Sequence, residues 1–138
     1  PIALDTAIFI YLIERHPEWH PRVAPLFAAI DEGRFKAVTS ALTLLELLVV
    51  PIRAGNVALA ERYEALLTRG RGLTMIELDR DLLKAAAQLR ARFNVRTPDA
   101  LQLAAGLRAG ATTFVTNDRA LPDLPGMRVL QLAGRRGA

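Results

Sequence analysis

Four carboxylates in this chain stand where a soluble domain gains little from a charge. Asp5 closes the apolar run Pro1-Ile2-Ala3-Leu4, and Glu46 interrupts the stretch Leu42 to Val50. Asp99 follows Thr97-Pro98 at the opening of a helical pattern, and Asp118 follows the strand-like Thr113-Phe114-Val115-Thr116. Taken singly, three of them have ordinary explanations. Asp5 and Asp118, or Asn117 beside it, have the residue type of a helix N-cap, and Asp99 lies in a first turn, where a carboxylate favours the helix dipole. Glu46 resists such a reading. In a helix its same-face neighbours are Leu42, Thr43, Val49 and Val50, so it stands on no solvated stripe and has no basic residue to pair with. Burying an unpaired carboxylate costs several kcal/mol, against a domain stability of about 5–15 kcal/mol. Glu46 therefore needs a cation, a hydrogen-bond network or a cleft. If one fold gathers all four acids, their repulsion keeps some protonated unless a cation is present. An all-oxygen donor set of that kind suits Mg²⁺ or Mn²⁺, and such a site supports metal-assisted phosphodiester hydrolysis. Thr6, Thr116 and Asn117 adjoin the acids and have the hydroxyl and amide groups that orient ligands or bound water. Ser40 and Thr43 read instead as capping and turn residues.

The elements that must position these groups alternate between short β-branched or apolar runs and longer helical patterns. Strands are expected at Ile2–Leu4, Phe35–Thr39, Leu73–Leu78, Thr112–Thr116 and Arg128–Gln131. Helices are expected from Thr6 to about Glu14, Arg22 to Glu32, Ala41 to about Arg53, Asn56 as cap to about Thr68, Arg80 to about Phe93, and Pro98 to Ala109. Pro51 is placed to kink or end the third of these. Gly33, Gly70 with Gly72, and Gly110 mark helix ends, and Thr97 has the type of an N-cap ahead of Pro98. Strands joined by helical crossovers make a mostly parallel α/β sheet with helices on both faces. Ligands in such sheets bind beyond the carboxyl ends of the strands, near a topological switch point. Asp5 and Asp118 both fall just after strands, which places them on the same edge.

Composition narrows the class. A chain of 138 residues is long enough for one continuous core, and 51% hydrophobic residues argue against disorder. No internal repeat or linker divides it, so residues 1–132 are expected to form one domain followed by a flexible Gly- and Arg-rich tail, 133–138. No apolar run is long enough to cross a bilayer and nothing has the pattern of a secretory signal. The absence of cysteine excludes disulfides and thiolate metal sites and suits a reducing cytoplasm. The net charge of +4 rests on sixteen arginines and only two lysines, Lys36 and Lys84. Arginine's planar fork suits phosphate oxygens, and a modest positive charge permits nucleic-acid binding.

The motifs taken together resemble a known family. Leu4-Asp5-Thr6 with Ile10 to Glu14, Glu46 in an apolar helix, Thr97-Pro98-Asp99-Ala100-Leu101-Gln102-Leu103-Ala104-Ala105 and Val115-Thr116-Asn117-Asp118 resemble the PIN domain, in particular the VapC toxins of toxin–antitoxin pairs. The resemblance runs from the first strand to about Leu121. No single motif is specific, but four in order at this spacing are. It implies a three-layer α/β/α sandwich in which Asp5, Glu46, Asp99 and Asp118 bind one or two Mg²⁺ or Mn²⁺ ions. It also implies ribonuclease activity on tRNA, ribosomal RNA or mRNA, with 5′-phosphate and 3′-hydroxyl products. A homodimer and inhibition by a small antitoxin protein are implied as well. The chain departs from the family at Ala7, where Asn or Ser is frequent, and at Ala120, where many members carry a further acid. The proximity of Arg96 and Arg119 to Asp99 and Asp118 makes them candidates for holding flanking phosphates.

Two other readings follow from the same residues. A PIN fold that binds RNA or a protein without cutting would keep the architecture and lose turnover. A phospho-aspartate protein using Asp5 would need an Asp two residues on, where Ala7 stands, or a lysine near the last strand, where there is none. His16 and His20 flank Trp19 at a spacing that could suggest a zinc pair, but Pro17 removes His16 from helical geometry, and they read as surface loop residues. The apolar helix faces are core, with an exposed patch around Leu47 to Val50 expected if that face also serves a dimer.

Overall fold

The computed structural model describes residues 1–134. Five short strands, β1 (Ile2–Leu4), β2 (Ala37–Ser40), β3 (Leu73–Ile76), β4 (Thr113–Thr116) and β5 (Arg128–Gln131), form one sheet in the order β3-β2-β1-β4-β5. Every pairing in it is parallel. Six helices connect the strands: α1 (Thr6–Ile13), α2 (His20–Asp31), α3 (Leu42–Arg53), α4 (Val57–Arg69), α5 (Arg80–Phe93) and α6 (Thr97–Arg108). This is the α/β sandwich of the sequence reading.

The two faces of the sheet are sorted by the strand's two-residue period. Ala3, Val38 and Phe114 face α5 and α6 and share a core with Leu82, Ala86, Leu103 and Ala104. Their neighbours Leu4, Ala37 and Val115 face the other way, against Ile8 and Phe9 of α1, Val23 and Ile30 of α2, Leu47 of α3, and Tyr63 and Leu67 of α4. Both faces are covered, which is why these strands read as unbroken apolar runs. Helix α6 is buried over its whole middle, Ala100 to Gly106, and lies on the centre of the sheet.

Several boundaries differ from expectation. Phe35 is half exposed and precedes the sheet, so β2 starts at Ala37; β3 stops at Ile76. Helix α2 begins at His20 because Pro21 fits a helical first turn, and it runs through Pro25. Pro51 does not end α3, which continues to Arg53 with the proline buried in its last turn. Thr97 is not the cap of α6. Arg96 takes that extended position, and the Thr97 hydroxyl accepts a bond from Arg90 Nη1 at 3.0 Å. Asn56 caps α4 as expected, its side chain accepting from Leu59 N. His20 opens a helix rather than lying in a loop, and His16 is half-buried, with its Nδ1 accepting from Glu18 N and Trp19 N. Of the tail 133–138, Ala133 and Gly134 follow β5, and residues 135–138 lie outside the described residues.

Candidate active site

The chain runs outward from the central strand β1 through β2 to β3, then returns to place β4 on the other side of β1. The crevice at this reversal opens at the carboxyl ends of the strands. Asp5 follows β1 and Asp118 follows β4 by two residues, so both stand on that edge. Glu46 comes from the second turn of α3, which begins two residues after β2, and Asp99 comes from the first turn of α6.

Hydroxyl groups hold the carboxylates from below. Asp5 caps α1 through Oδ1, which accepts from Thr6 N at 2.8 Å, while its Oδ2 accepts from Thr116 Oγ1 at 2.7 Å. The same Thr116 oxygen accepts from Asp118 N at 3.0 Å, so one buried threonine ties two of the acids together. Thr6 Oγ1 donates to Glu46 Oε1 at 2.7 Å. Arg96 lies between the other two acids, with its Nε 3.4 Å from Asp99 Oδ2 and an Nη 3.8 Å from Asp118 Oδ2.

The electrostatics bind the four acids into one group. Burial raises the Asp5 carboxyl above the ordinary range; the bonds from Thr116 and Thr6 oppose this, and the charges of Glu46 and Asp118 add to it. Asp99 is likewise raised, first by burial and then by Asp118 and Asp5, with Arg96 working in the opposite direction. Among the described residues, no three carboxylate or imidazole side chains stand together as a ready-made metal cage. Asp5 and Glu46 are turned to their threonines, and Asp99 and Asp118 share Arg96. The chemistry of the set nonetheless fits a hard divalent ion: the donors are all oxygens, and burial, with their mutual repulsion adding to it, raises Asp5 and Asp99.

These shifts predict a pH dependence. Acids whose folded-state pKa is raised contribute stability below their unfolded value and lose it as pH rises through the folded value. In excess chelator, acidification from neutral toward the ordinary carboxylate range should therefore relieve Asp5 and Asp99. Relative to wild type, Asp99→Asn should show a smaller gain in melting temperature over that range; equal gains would contradict the coupling. Asp79, held below the ordinary range by hydrogen bonds from Arg108, titrates the opposite way and in a more acidic window.

The remaining expected residues are not all placed alike. Thr6 and Thr116 contact acids directly, whereas Asn117 Nδ2 donates to Tyr11 Oη at 3.3 Å, away from the carboxylates. Arg119 is exposed and forms no ion pair among the described residues. Ser40 makes a turn contact ahead of α3, its Oγ accepting from Leu42 N, while Ala41 takes the cap position with no side-chain bond; Thr43 is fully buried beneath Thr6 and belongs to the site's hydrogen-bond network. Gln102 was not singled out from sequence. It is buried, one turn after Asp99, and its Nε2 donates to Thr43 Oγ1 at 2.7 Å. A lone amide within the apolar run Ala100–Gly106 was the signal for it. A concavity of about 700 Å³ between α5 and α6 is lined by Leu82, Leu89, Phe93 and Leu107 and holds none of these acids, so volume alone does not locate the chemistry.

Comparison with known proteins follows the same line. The profile of the PIN domain matches residues 2–127. A toxin–antitoxin complex from Klebsiella pneumoniae is similar in structure at 20% identity and a TM-score of 0.73, over 96% of this chain and 98% of that one. VapBC2 from Rickettsia felis, bound to a DNA fragment from its promoter, is 20% identical with a TM-score of 0.70, over 94% and 97%. VapC20 of Mycobacterium tuberculosis, a toxin that cleaves the sarcin-ricin loop, is 19% identical with a TM-score of 0.68, over 83% and 87%. No curated protein sequence matches the chain.

Proposed function

Because the chain belongs to the PIN domain family, we propose that it is a metal-dependent endoribonuclease of the VapC type, the toxin of a toxin–antitoxin pair. The observation that carries this reading is the arrival of Asp5, Glu46, Asp99 and Asp118 from four separate elements at one sheet edge, in one shared electrostatic field. The similar chains that are toxins or toxin–antitoxin complexes support it, as does the sarcin-ricin loop cleavage ascribed to one of them.

In this reading the four acids hold one or two Mg²⁺ or Mn²⁺ ions. Such an ion, when bound, lowers the pKa of a water and offsets charge on the phosphate and the leaving oxygen. The chain's own residues do the positioning. Thr116 and the Thr6 N–H fix both oxygens of Asp5, and the Thr6 hydroxyl fixes Oε1 of Glu46. Arg119, exposed at the surface, would hold a phosphate flanking the scissile bond, and Arg96 would do so on leaving Asp99 and Asp118. RNA of the tRNA, ribosomal or messenger class would be the substrate, met in the cytoplasm. No helix among the described residues is long and apolar enough to cross a membrane. A homodimer and an antitoxin protein need an apolar surface, and α3 and the start of α4 expose Leu45, Val49, Val50, Ile52 and Val57. Leu47 is buried and lies outside that surface.

One observation favours the second reading, a PIN-fold module that binds RNA or protein without cutting: Arg96 occupies the gap between Asp99 and Asp118. The two separate on cellular RNA incubated with Mg²⁺ or Mn²⁺ and with excess chelator. Discrete fragments with mapped ends that form only with metal are expected; RNA binding without turnover overturns the nuclease reading, and cleavage in chelator overturns its metal dependence.

A further inference from the structure

Beneath the acids lies a chain of side-chain hydrogen bonds whose direction can be worked out atom by atom. A threonine hydroxyl has one proton to give and two lone pairs to receive with. Thr39 Oγ1 donates to the carbonyl of Leu4 at 2.9 Å, so its proton is committed. Its 2.7 Å contact with Thr43 Oγ1 therefore requires Thr43 to be the donor. With that proton spent, Thr43 can only receive: Gln102 Nε2 donates to it at 2.7 Å, and Thr43 has no proton to give at its 3.3 Å contact with Thr6 Oγ1. The same amide nitrogen reaches Thr6 Oγ1 at 3.3 Å, and Thr6 gives its own proton to Glu46 Oε1 at 2.7 Å. The orientation of the amide is fixed from its other end, because Gln102 Oε1 accepts from the backbone N–H of Ser40 at 3.3 Å. Thr39, Thr43 and Gln102 are all buried, so water cannot substitute for any of these partners without cost.

We infer that Gln102 is the positioning residue for Glu46: it feeds donors into the hydroxyls of Thr43 and Thr6 so that Thr6 must present its proton to the Glu46 carboxylate. A fixed donor holds one rotamer of a side chain that otherwise has three free torsions. The role rests on the proposed function only in that Glu46 is taken to hold metal; the hydrogen-bond direction does not depend on it.

The test compares Mn²⁺ affinity of folded protein, by electron paramagnetic resonance of the free ion, for wild type, Gln102→Leu, Thr6→Val and the double variant. Outer-shell partners of metal ligands typically contribute about 10- to 100-fold in affinity. Gln102→Leu is expected to weaken Mn²⁺ binding by about tenfold or more, Thr6→Val likewise, and the double variant no further than the worse single one, since both act through one bond. Thr6→Ser, which keeps the hydroxyl, should retain wild-type affinity. A Gln102→Leu protein that melts lower but binds Mn²⁺ within about twofold of wild type, or losses that add in the double variant, overturns the inference. If Gln102→Leu does not fold, the contrast between Thr6→Val and Thr6→Ser decides it. Failure of the wild type to bind Mn²⁺ at all refutes the nuclease reading instead. The side-chain amide protons of Gln102 then judge the inference by NMR: slow exchange with solvent in the wild type supports it, and exchange at the free-amide rate overturns it.

Discussion

Asp5→Asn is expected to reduce RNA cleavage by at least about a hundredfold while raising the melting temperature of the metal-free protein. The two effects have one cause. Asp5 is the most encumbered of the acids, raised by burial and pressed by Glu46 and Asp118. Removing its charge relieves that repulsion. Asparagine caps helices as well as aspartate does, so the Oδ1 bond from Thr6 N at 2.8 Å survives. At the other position an amide N–H replaces the acceptor of Thr116 Oγ1, and the threonine can turn from donor to acceptor there. Activity falls because a neutral amide is a much weaker ligand for a hard divalent ion than a carboxylate. Cleavage rates in Mg²⁺, together with melting curves in chelator and with added Mg²⁺ or Mn²⁺, check both halves. The wild type should gain stability on adding metal and the variant should gain less. Activity within about tenfold of wild type would remove Asp5 from the mechanism.

What could be read before the structure divides along physical lines. The sheet and its crossovers are local patterns. Runs such as Ile2–Leu4 and Thr113–Thr116 show their type in a few residues, and strand-then-acid order is enough to put Asp5 and Asp118 on one edge. Glu46 was conspicuous because a carboxylate in an apolar stretch must be answered by something. Its helix is less buried than that stretch suggested, however: Val49 and Val50 face outward, and Glu46 itself is only half-buried, answered by the Thr6 hydroxyl. Hydrogen bonds between distant side chains were illegible. Gln102 and Thr43 are 59 positions apart, and Thr116 and Asp5 are 111 apart; no periodicity reports such pairs. Arg96 shows the same limit. Its proximity to Asp99 suggested a phosphate contact, but its position between Asp99 and Asp118 depends on how the cap of α6 meets the turn after β4.

Gly106→Ala should destabilise the fold by about 1–2 kcal/mol, although alanine is the better helix former by about 1 kcal/mol. The position is inside α6, where a glycine is unfavourable on propensity alone, so packing must be the reason for it. A Cβ built there meets the Ala3 Cβ at 2.9 Å and the Met127 Sδ at 3.2 Å. Methionine can yield, being unbranched and flexible. Ala3 cannot, because it stands on β1, the central strand, paired on both sides. The helix would have to lift off the sheet, and overpacking of this kind costs typically 1–3 kcal/mol, more than the gain in propensity. The displacement matters to the site because Gln102 lies about one helical turn earlier and Asp99 about two, on the same rigid element. Thermal unfolding checks the size of the effect, which should be several degrees. Ala3→Gly in the same chain removes the obstructing methyl and should recover much of the loss. A stable Gly106→Ala variant, or one that Ala3→Gly fails to rescue, would show that α6 is held against β1 by something other than this close approach.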